Sequence, residues 1–414
     1  MDPSAIIAEL ATRARDASRQ LARLPSEAKR AGLRAAAAEV RARSGDILGA
    51  NAEDMARAAA LTPALGDRLR LDPARLEGVA AAIEAVAGLD DPVGALIDQR
   101  VAPSGIALER VRVPIGVIGI IYESRPNVTT DAAALCVMAG NAAILRGGSE
   151  AQASNAALHA AFVAGLRKAG LPEAAVERVP SSDRALVGAM LAAAGAIDLI
   201  VPRGGKSLVA RVQAEARVPV LAHLDGVNHV FVHASATPAM AEAIAANAKL
   251  RRPGICGAME TLLIDRAYLA APALLAALRA GGCALRGDAG VRALDPQVAP
   301  ATPKDWDSEY LAPIASVALV EGLDGALAHI ARHGSGHTEA IVAEDAAVAE
   351  RFLAEVDAAI VLWNASTQFA DGGEFGLGAE IGIATGRLHA RGPVALEGLT
   401  TYKWVGRGRG QTRA

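Results

Sequence analysis

The sequence predicts an α/β protein of several domains built on doubly wound parallel sheets, and three observations carry that expectation. From about position 117 onward, short β-branched runs alternate with helical segments of about 10–20 residues, the pattern of right-handed βαβ units. At roughly 150 residues per domain, 414 residues make two or three domains. Hydrophobic residues make up 52% and charged ones only 21%, too apolar a mixture for a disordered chain.

The elements follow in order. The first ~90 residues place apolar side chains at i, i+3 and i+4 (Ile6, Ile7 and Leu10, then Leu33 to Val40) and read as helices. The period then changes. Residues 117–121 read as a buried strand, 129–139 as a helix and 142–145 as a second strand, after which Ser149 opens a helix reaching Lys168. Further strands are expected at 176–179, 197–201 and 218–221. A second series restarts near His229, with a strand at 229–232, a helix at 238–250 and strands at 261–264, 316–320, 340–342 and 359–362. The restart puts a domain boundary near Gly226, without a Gly/Ser linker. Two segments fit neither series: 100–112, which alternates like a hairpin, and the Gly/Arg-rich tail 398–414. Excursions of this kind pair across subunits in many oligomers, so a homo-oligomer is expected.

Composition excludes other classes. Lys+Arg number 42 against 45 Asp+Glu, a net charge of −3, so no basic excess exists for nucleic acid. The most apolar stretch, 185–201, is interrupted by Asp198 and dominated by Ala and Gly, short of the ~20 strongly apolar residues of a membrane span. The start is amphipathic and Arg-containing, unlike a signal peptide. Three cysteines, sparse and odd in number, make no disulfide framework. A cytoplasmic protein is expected, with no membrane and no nucleic-acid partner.

Candidate chemistry is sparse. G-x-G-x-x-G is absent; Gly376, Gly378 and Gly382 come nearest, with the spacing off by one. Gly204-Gly205-Lys206-Ser207 follows a strand and opens a helix, but Ile200 stands where a P-loop requires glycine. What remains is a helix N-terminus that favours an anion, balanced evenly against an ordinary tight turn. His329, His333 and His337 are four apart, yet Gly334, Ser335 and Gly336 break the helix before the third, so no metal site is expected. Cys136 lies in an apolar helix and Cys283 in a packing context. Cys256 differs, because Lys249, Arg251 and Arg252 precede it in a loop containing Pro253, Gly254 and Gly257. Nearby cations favour thiolate, the form that attacks carbonyls, and the nucleophile reading is preferred over a structural loop cysteine.

These residues resemble a known family. The Cys256 loop is similar to the nucleophile loop of the aldehyde dehydrogenase superfamily, and more closely to that of the γ-glutamyl phosphate reductase family. The segments 123–129, 140–150, 329–341, 389–393 and 399–403 resemble that family's motifs in the family's order, over most of the chain from about Ile47. The resemblance implies an aldehyde-dehydrogenase-like architecture: a dinucleotide-binding domain over 1–98 and 117–225, a catalytic domain over 226–385, and an oligomerisation hairpin and tail over 99–116 and 386–414. It implies NADPH-dependent reduction of L-glutamyl 5-phosphate to L-glutamate 5-semialdehyde, the second step of proline biosynthesis, through a thioacyl on Cys256. Asn127 would be the side-chain oxyanion donor. Arg146, with Ser149 beside it, would face the NADP ribose and its 2′-phosphate; Gly204, Gly205 and Lys206 the pyrophosphate; and Glu309 the nicotinamide ribose. Arg125, Arg251 and Arg252 are candidates for the acyl phosphate and the glutamate carboxylate, balanced against ordinary surface arginines. It also implies transient contact with the upstream glutamate kinase. Two departures stand out: no glutamate base occupies 222–226, and Gln368 stands where many relatives carry arginine. A coenzyme-A-dependent acylating enzyme and a non-catalytic scaffold of the same fold are the alternatives.

Overall fold

The computed structural model describes residues 2–58 and 63–413. These form two compact units, one of residues up to Ala222 with Leu377–Gly382 and Val394 onward, the other of His223–Gly376 with Ile383–Pro393.

The first unit begins with five helices: α1 (Pro3–Leu21), α2 (Ser26–Ala42), α3 (Ser44–Arg57), α4 (Pro63–Leu69) and α5 (Pro73–Gly88). Local chemistry sets their starts. Asp2 and Asp72 accept backbone amides at the N-termini of α1 and α5, and proline follows each at the first helical position. After a hairpin of β1 (Leu96–Val101) and β2 (Ala107–Pro114) come β3 (Val117–Tyr122), α6 (Val128–Met138), β4 (Ala142–Gly147), α7 (Gln152–Lys168), β5 (Val176–Arg178), α8 (Arg184–Ala192), β6 (Leu199–Arg203) and α9 (Lys206–Glu215). The sheet order is β5-β4-β3-β6, parallel throughout, and every residue of β3 is buried. Ile7, Leu10, Ala11 and Ala14 of α1 pack into the same core as Val117, Ile121 and Ile144, so the apolar stripe of α1 covers the sheet. The strand expected at 218–221 is a single bridge between Ile200 and Val220. Pro219 has no amide to donate, and the ladder stops there. Alanine-rich helices allow close approach: a Cβ on Gly165 of α7 would lie 2.3 Å from the Ala36 backbone of α2.

The second unit repeats the alternation with β7 (Asn228–Val232), α10 (Pro238–Leu250), β8 (Met259–Asp265), α11 (Ala271–Ala280), β9 (Ala284–Gly287), α12 (Ala289–Leu294), β10 (Ala299–Pro300), β11 (Ile314–Val320), α13 (Gly322–His333), β12 (Thr338–Val342), α14 (Ala346–Glu355) and β13 (Ile360–Trp363). Its parallel sheet runs β10-β9-β11-β8-β7-β12-β13. Alternation along β7 sends Val230 and Val232 into one core and Phe231 into the other, so helices cover both faces. The strands β9 and β10 at one end of the sheet are not foreseen in the sequence, being only four and two residues long. A two-residue pair, β14 (Ile383–Ala384) with β15 (Gly392–Pro393), completes the unit.

The last strand, β16 (Thr400–Arg407), returns to the first unit and pairs antiparallel with β2 over eight residues, giving a three-stranded sheet β1-β2-β16. Asn141, just before β4, anchors it by accepting the Gly116 amide at 2.8 Å and donating to the Leu399 carbonyl at 2.8 Å. Leu96, Val101, Tyr402 and Trp404 stay exposed on this sheet, with the Arg100 guanidinium 4.8 Å from the Trp404 ring centre. Among the described residues no helix is long and apolar enough to cross a membrane.

Candidate active site

Cys256 sits in the loop between α10 and β8, and four anchors hold that loop. Below it, Lys249 of α10 and Glu260 of β8 form a fully buried ion pair at 2.5 Å. Burial pushes the Glu260 carboxyl up to about 7, against the opposing pull of Lys249. Gln368 donates to the Ala248 carbonyl at 2.9 Å, so this buried amide ties down the end of α10. The Asn228 amide donates to the carbonyls of Cys256 (2.6 Å) and Ala258 (2.9 Å), while its oxygen accepts the Thr338 amide. Finally Gly226 runs directly beneath the nucleophile: a Cβ there would lie 2.0 Å from the Cys256 carbonyl oxygen, which only glycine tolerates. The Gly226 amide in turn donates to Glu309 at 3.1 Å.

Two imidazoles face the thiol. Cys256 Sγ and a ring nitrogen from each of His223 and His337 lie within 4.8 Å of one another. His223 Nδ1 is 2.8 Å from the Ile383 carbonyl, which can only accept, so that nitrogen carries the proton and Nε2 presents a lone pair. His337 Nδ1 engages Thr338 Oγ1 at 2.8 Å, and its Nε2 is buried with no hydrogen-bond partner among the described residues. Burial, with His223 next, pushes the His337 pKa down to about 3, so this ring is neutral at physiological pH. His223 and His337 meet edge to face, their ring centres 5.0 Å apart. His329 and His333 instead approach each other on α13 at 4.7 Å, so the three histidines spaced by four do not converge. Burial raises the Cys136 thiol to about 12 and the Cys283 thiol to about 11, whereas Cys256 is partly exposed.

In the first unit, the turns after β3, β4 and β6 carry the polar groups, as expected at the carboxyl ends of parallel strands. Arg146, the penultimate residue of β4, is buried with its Nη2 2.6 Å from the Ser182 carbonyl, and its Nε has no hydrogen-bond partner among the described residues. Burial lowers its pKa, offset by Glu150 and Glu123. Gly147, Gly148, Gln152, Arg178, Ser181 and Ser182 line a small cavity beside this turn. The exposed Ser149 opens the 3-10 turn leading into α7. At the start of α9, the Gly205 amide donates to the Glu123 carboxylate at 3.1 Å, so that end already holds an anionic group. Asn127 stands at the N-cap of α6 and donates to Asp131 at 2.8 Å; burial lifts the Asp131 carboxyl to about 6.

The profile described as the aldehyde dehydrogenase family matches residues 4–281. The chain is 68% identical over 410 residues to a γ-glutamyl phosphate reductase of Novosphingobium aromaticivorans, covering 99% of this chain and 96% of that one. It is 66% identical over 414 residues to the enzyme of that name from Rhizorhabdus wittichii, covering 100% and 96%. The crystal structure of γ-glutamyl phosphate reductase from Thermotoga maritima superposes with a TM-score of 0.96 at 42% identity, covering 99% of this chain and 100% of that one. The chain belongs to the γ-glutamyl phosphate reductase family, a branch of the aldehyde dehydrogenases.

It is therefore an enzyme with an aldehyde-dehydrogenase-like fold. Within the second unit, the structure brings Cys256 and Glu309 together through Gly226, while Arg251 and Arg252 stay exposed on the nucleophile loop. Within the first unit, Gly204, Gly205 and Lys206 form the turn into α9, and Arg146 and Ser149 share the turn after β4. Arg125 is half-buried in the loop before Asn127. Sequence reasoning missed His223, Asn228 and the inward face of His337, as well as Arg178, Ser181 and Ser182. His337 stood within a quoted family motif, but nothing in the linear pattern pointed its ring toward residue 256.

Proposed function

We propose that the enzyme reduces L-glutamyl 5-phosphate to L-glutamate 5-semialdehyde with NADPH, in proline biosynthesis, through a thioacyl on Cys256. The observation that carries this reading is the nucleophile loop. A partly exposed cysteine has its backbone held by Asn228 and Gly226, and a ring nitrogen of His223 lies within 4.8 Å of its sulfur. His223 Nε2 takes the thiol proton. The thiolate then attacks the acyl carbon, and the carbon–oxygen bond to phosphate breaks on collapse, leaving a thioester and inorganic phosphate. Negative charge on the acyl oxygen is met by the Cys256 backbone N–H, and Asn127, whose amide donates to Asp131 at 2.8 Å, is the side-chain donor that the family resemblance implies. The cofactor, when bound, supplies the hydride that reduces the thioester. The resulting thiohemiacetal releases aldehyde and restores the Cys256 thiolate. No water needs activating, consistent with the absence of a glutamate at 222–226.

The residues of the first unit suit a phosphorylated dinucleotide. Arg146 is a buried cation with an unpartnered Nε, Ser149 stands in the same turn, and Arg178, Ser181 and Ser182 add donors in the small cavity beside it, with Glu150 and Glu123 close enough to act on the guanidinium. A guanidinium with hydroxyls fits a 2′-phosphate, and Gly204, Gly205 and Lys206 would hold the pyrophosphate in place of the Glu123 carboxylate that now takes the Gly205 amide. In this reading the first unit is the dinucleotide-binding domain, the second the catalytic domain, and β1-β2-β16 the oligomerisation sheet of a cytoplasmic homo-oligomer. Arg125, Arg251 and Arg252 are left to the acyl phosphate and the substrate carboxylate, because Gln368 is committed to the Ala248 carbonyl.

The test is oxidation of glutamate semialdehyde by NADP with phosphate varied. A rate that rises with phosphate and ignores coenzyme A supports the proposal. Dependence on coenzyme A without phosphate overturns it.

A further inference from the structure

The trio facing Sγ has a property the reduction does not use. Cys256 Sγ and one ring nitrogen each of His223 and His337 lie within 4.8 Å of one another, one thiol and two imidazoles. A tetrahedral zinc ion with Zn–N near 2.0 Å and Zn–S near 2.3 Å needs ligand atoms about 3.3–3.6 Å apart. Closing the trio from the 4.8 Å limit takes at most about 1.2–1.5 Å, within rotation of the partly exposed Cys256 and His223 side chains.

Three features of the histidines point the same way. The Nε2 of His337 is buried and has no hydrogen-bond partner among the described residues, so a ring nitrogen is left unsatisfied on a fully buried side chain. His223 donates its Nδ1–H to the Ile383 carbonyl at 2.8 Å, and His337 Nδ1 engages Thr338 Oγ1 at 2.8 Å. Metal-bound histidines make this second hydrogen bond almost without exception, because it fixes the ring and raises the basicity of the ligating nitrogen. The donor set itself, one thiolate and two neutral imidazoles, matches borderline-soft divalent ions such as Zn2+ rather than Mg2+ or Ca2+.

We propose that His223, Cys256 and His337 form a reversible binding site for a divalent transition ion of the Zn2+ class, which masks the nucleophile. Binding replaces the thiol proton with a sulfur–metal bond and releases that proton. Sγ and two nitrogens enter the coordination shell, the hydrated ion's waters leave to solvent, and a single water remains as the fourth ligand. No electron moves, and removal of the ion restores the thiol. The site occupies the sulfur that the proposed reaction needs, so the ion acts as an inhibitor and not as a cofactor.

The experiment is a Co2+ titration of the reduced, full-length enzyme without substrate or dinucleotide, with Zn2+ as competitor. The expected result is one equivalent of Co2+ per chain. A sulfur-to-metal charge-transfer band and tetrahedral d–d bands should appear, both abolished by Zn2+. Cys256→Ala should lose the charge-transfer band. His223→Gln and His337→Gln should each weaken Co2+ binding by at least about tenfold. Absence of the band in protein with three titratable thiols overturns the proposal, as does a band of unchanged affinity in the histidine variants. Circular dichroism and a melt accompany each variant; if the buried His337→Gln does not fold, the half-exposed His223→Gln decides alone. The readout needs no turnover, so a chain that binds Co2+ yet leaves L-glutamyl 5-phosphate unreduced would refute the proposed reaction and keep the metal site.

Discussion

Around the turn after β4, side chains of both charges meet: the Arg146 guanidinium is influenced by Glu150 and Glu123, Ser124 donates to Glu150, and Glu123 takes the Gly205 amide. At the Cys256 sulfur two imidazoles stand instead, one held neutral by burial, while the charges of the loop are paired or turned outward: Lys249 with Glu260 below, Glu309 on the Gly226 amide, Arg251 and Arg252 exposed. The contrast follows from what each region is proposed to handle. A dinucleotide phosphate keeps its charge throughout, so a fixed cation serves. A nucleophile must pass between thiol, thiolate and thioester, and a rigid full charge beside it would favour one of those states over the others. Position and proton acceptance therefore do at Cys256 what charge does at Arg146.

The largest expected effect probes the neutral region. Cys256→Ala should lower the NADPH oxidation rate with L-glutamyl 5-phosphate by at least about a thousandfold, since no other nucleophile flanks it. Retained turnover would refute the thioacyl route. Iodoacetamide adds a check on the intact chain. Cys256 should be alkylated first by mass spectrometry, because Cys136 and Cys283 are buried with thiols raised to about 12 and about 11.

Next is Gly226→Ala, which tests whether geometry alone carries that region. Its Cβ would fall 2.0 Å from the Cys256 carbonyl oxygen, so the loop must move by an ångström or more. A shift of that size should lower kcat about a hundredfold, with a stability loss of about 1–3 kcal/mol. A variant with native kcat would show that the close approach is irrelevant. For the charged region, Arg146→Ala should raise the KM for NADPH by about 10–100-fold, the worth of a charge-assisted phosphate contact, while kcat stays within about twofold. NADH, which lacks the 2′-phosphate, should be nearly indifferent to the change. Equal losses with both cofactors would assign Arg146 to packing through its Ser182 contact.

How much of this was legible differs between the same two regions. Periodicity placed α10 at its observed limits and nearly every central strand, because a strand buried on both faces must be a continuous apolar run. The turn after β4 was also readable, being local: Arg146 and Ser149 are three residues apart. The nucleophile environment was not. His223 with Asn228, Cys256 and His337 converge from three separated stretches, and only the folding of β7, β8 and β12 side by side brings them together. The short strands at one end of the second sheet escaped for another reason. β9 and β10 are too short to show a period, and at 218–221 the apolar run was readable but Pro219 could not extend the ladder.

The smallest expected effect concerns the histidines that do not face the thiol. His329 is largely buried against His229, His333 and the edge of Trp306, and its Nδ1 has no hydrogen-bond partner among the described residues. Burial first, then the two neighbouring histidines, pushes its pKa from the ordinary 6.5 down to about 3. In the unfolded chain the ring takes its proton near 6.5, so between that value and 3 the unfolded state binds the extra proton. Stability is therefore fully present above pH 6.5 and falls as the pH drops, by at most about 1.4 kcal/mol per unit from this group. His329→Gln removes the linkage. Its melting temperature should accordingly fall less than that of the native chain between pH 6.5 and 5, even if it starts lower from lost packing. A native and a variant curve of equal slope would show that His329 gains its proton in the folded state as readily as in the unfolded one. Polar burial in this unit would then carry no proton linkage at that position, and neutrality would be a feature of the nucleophile's own surroundings alone.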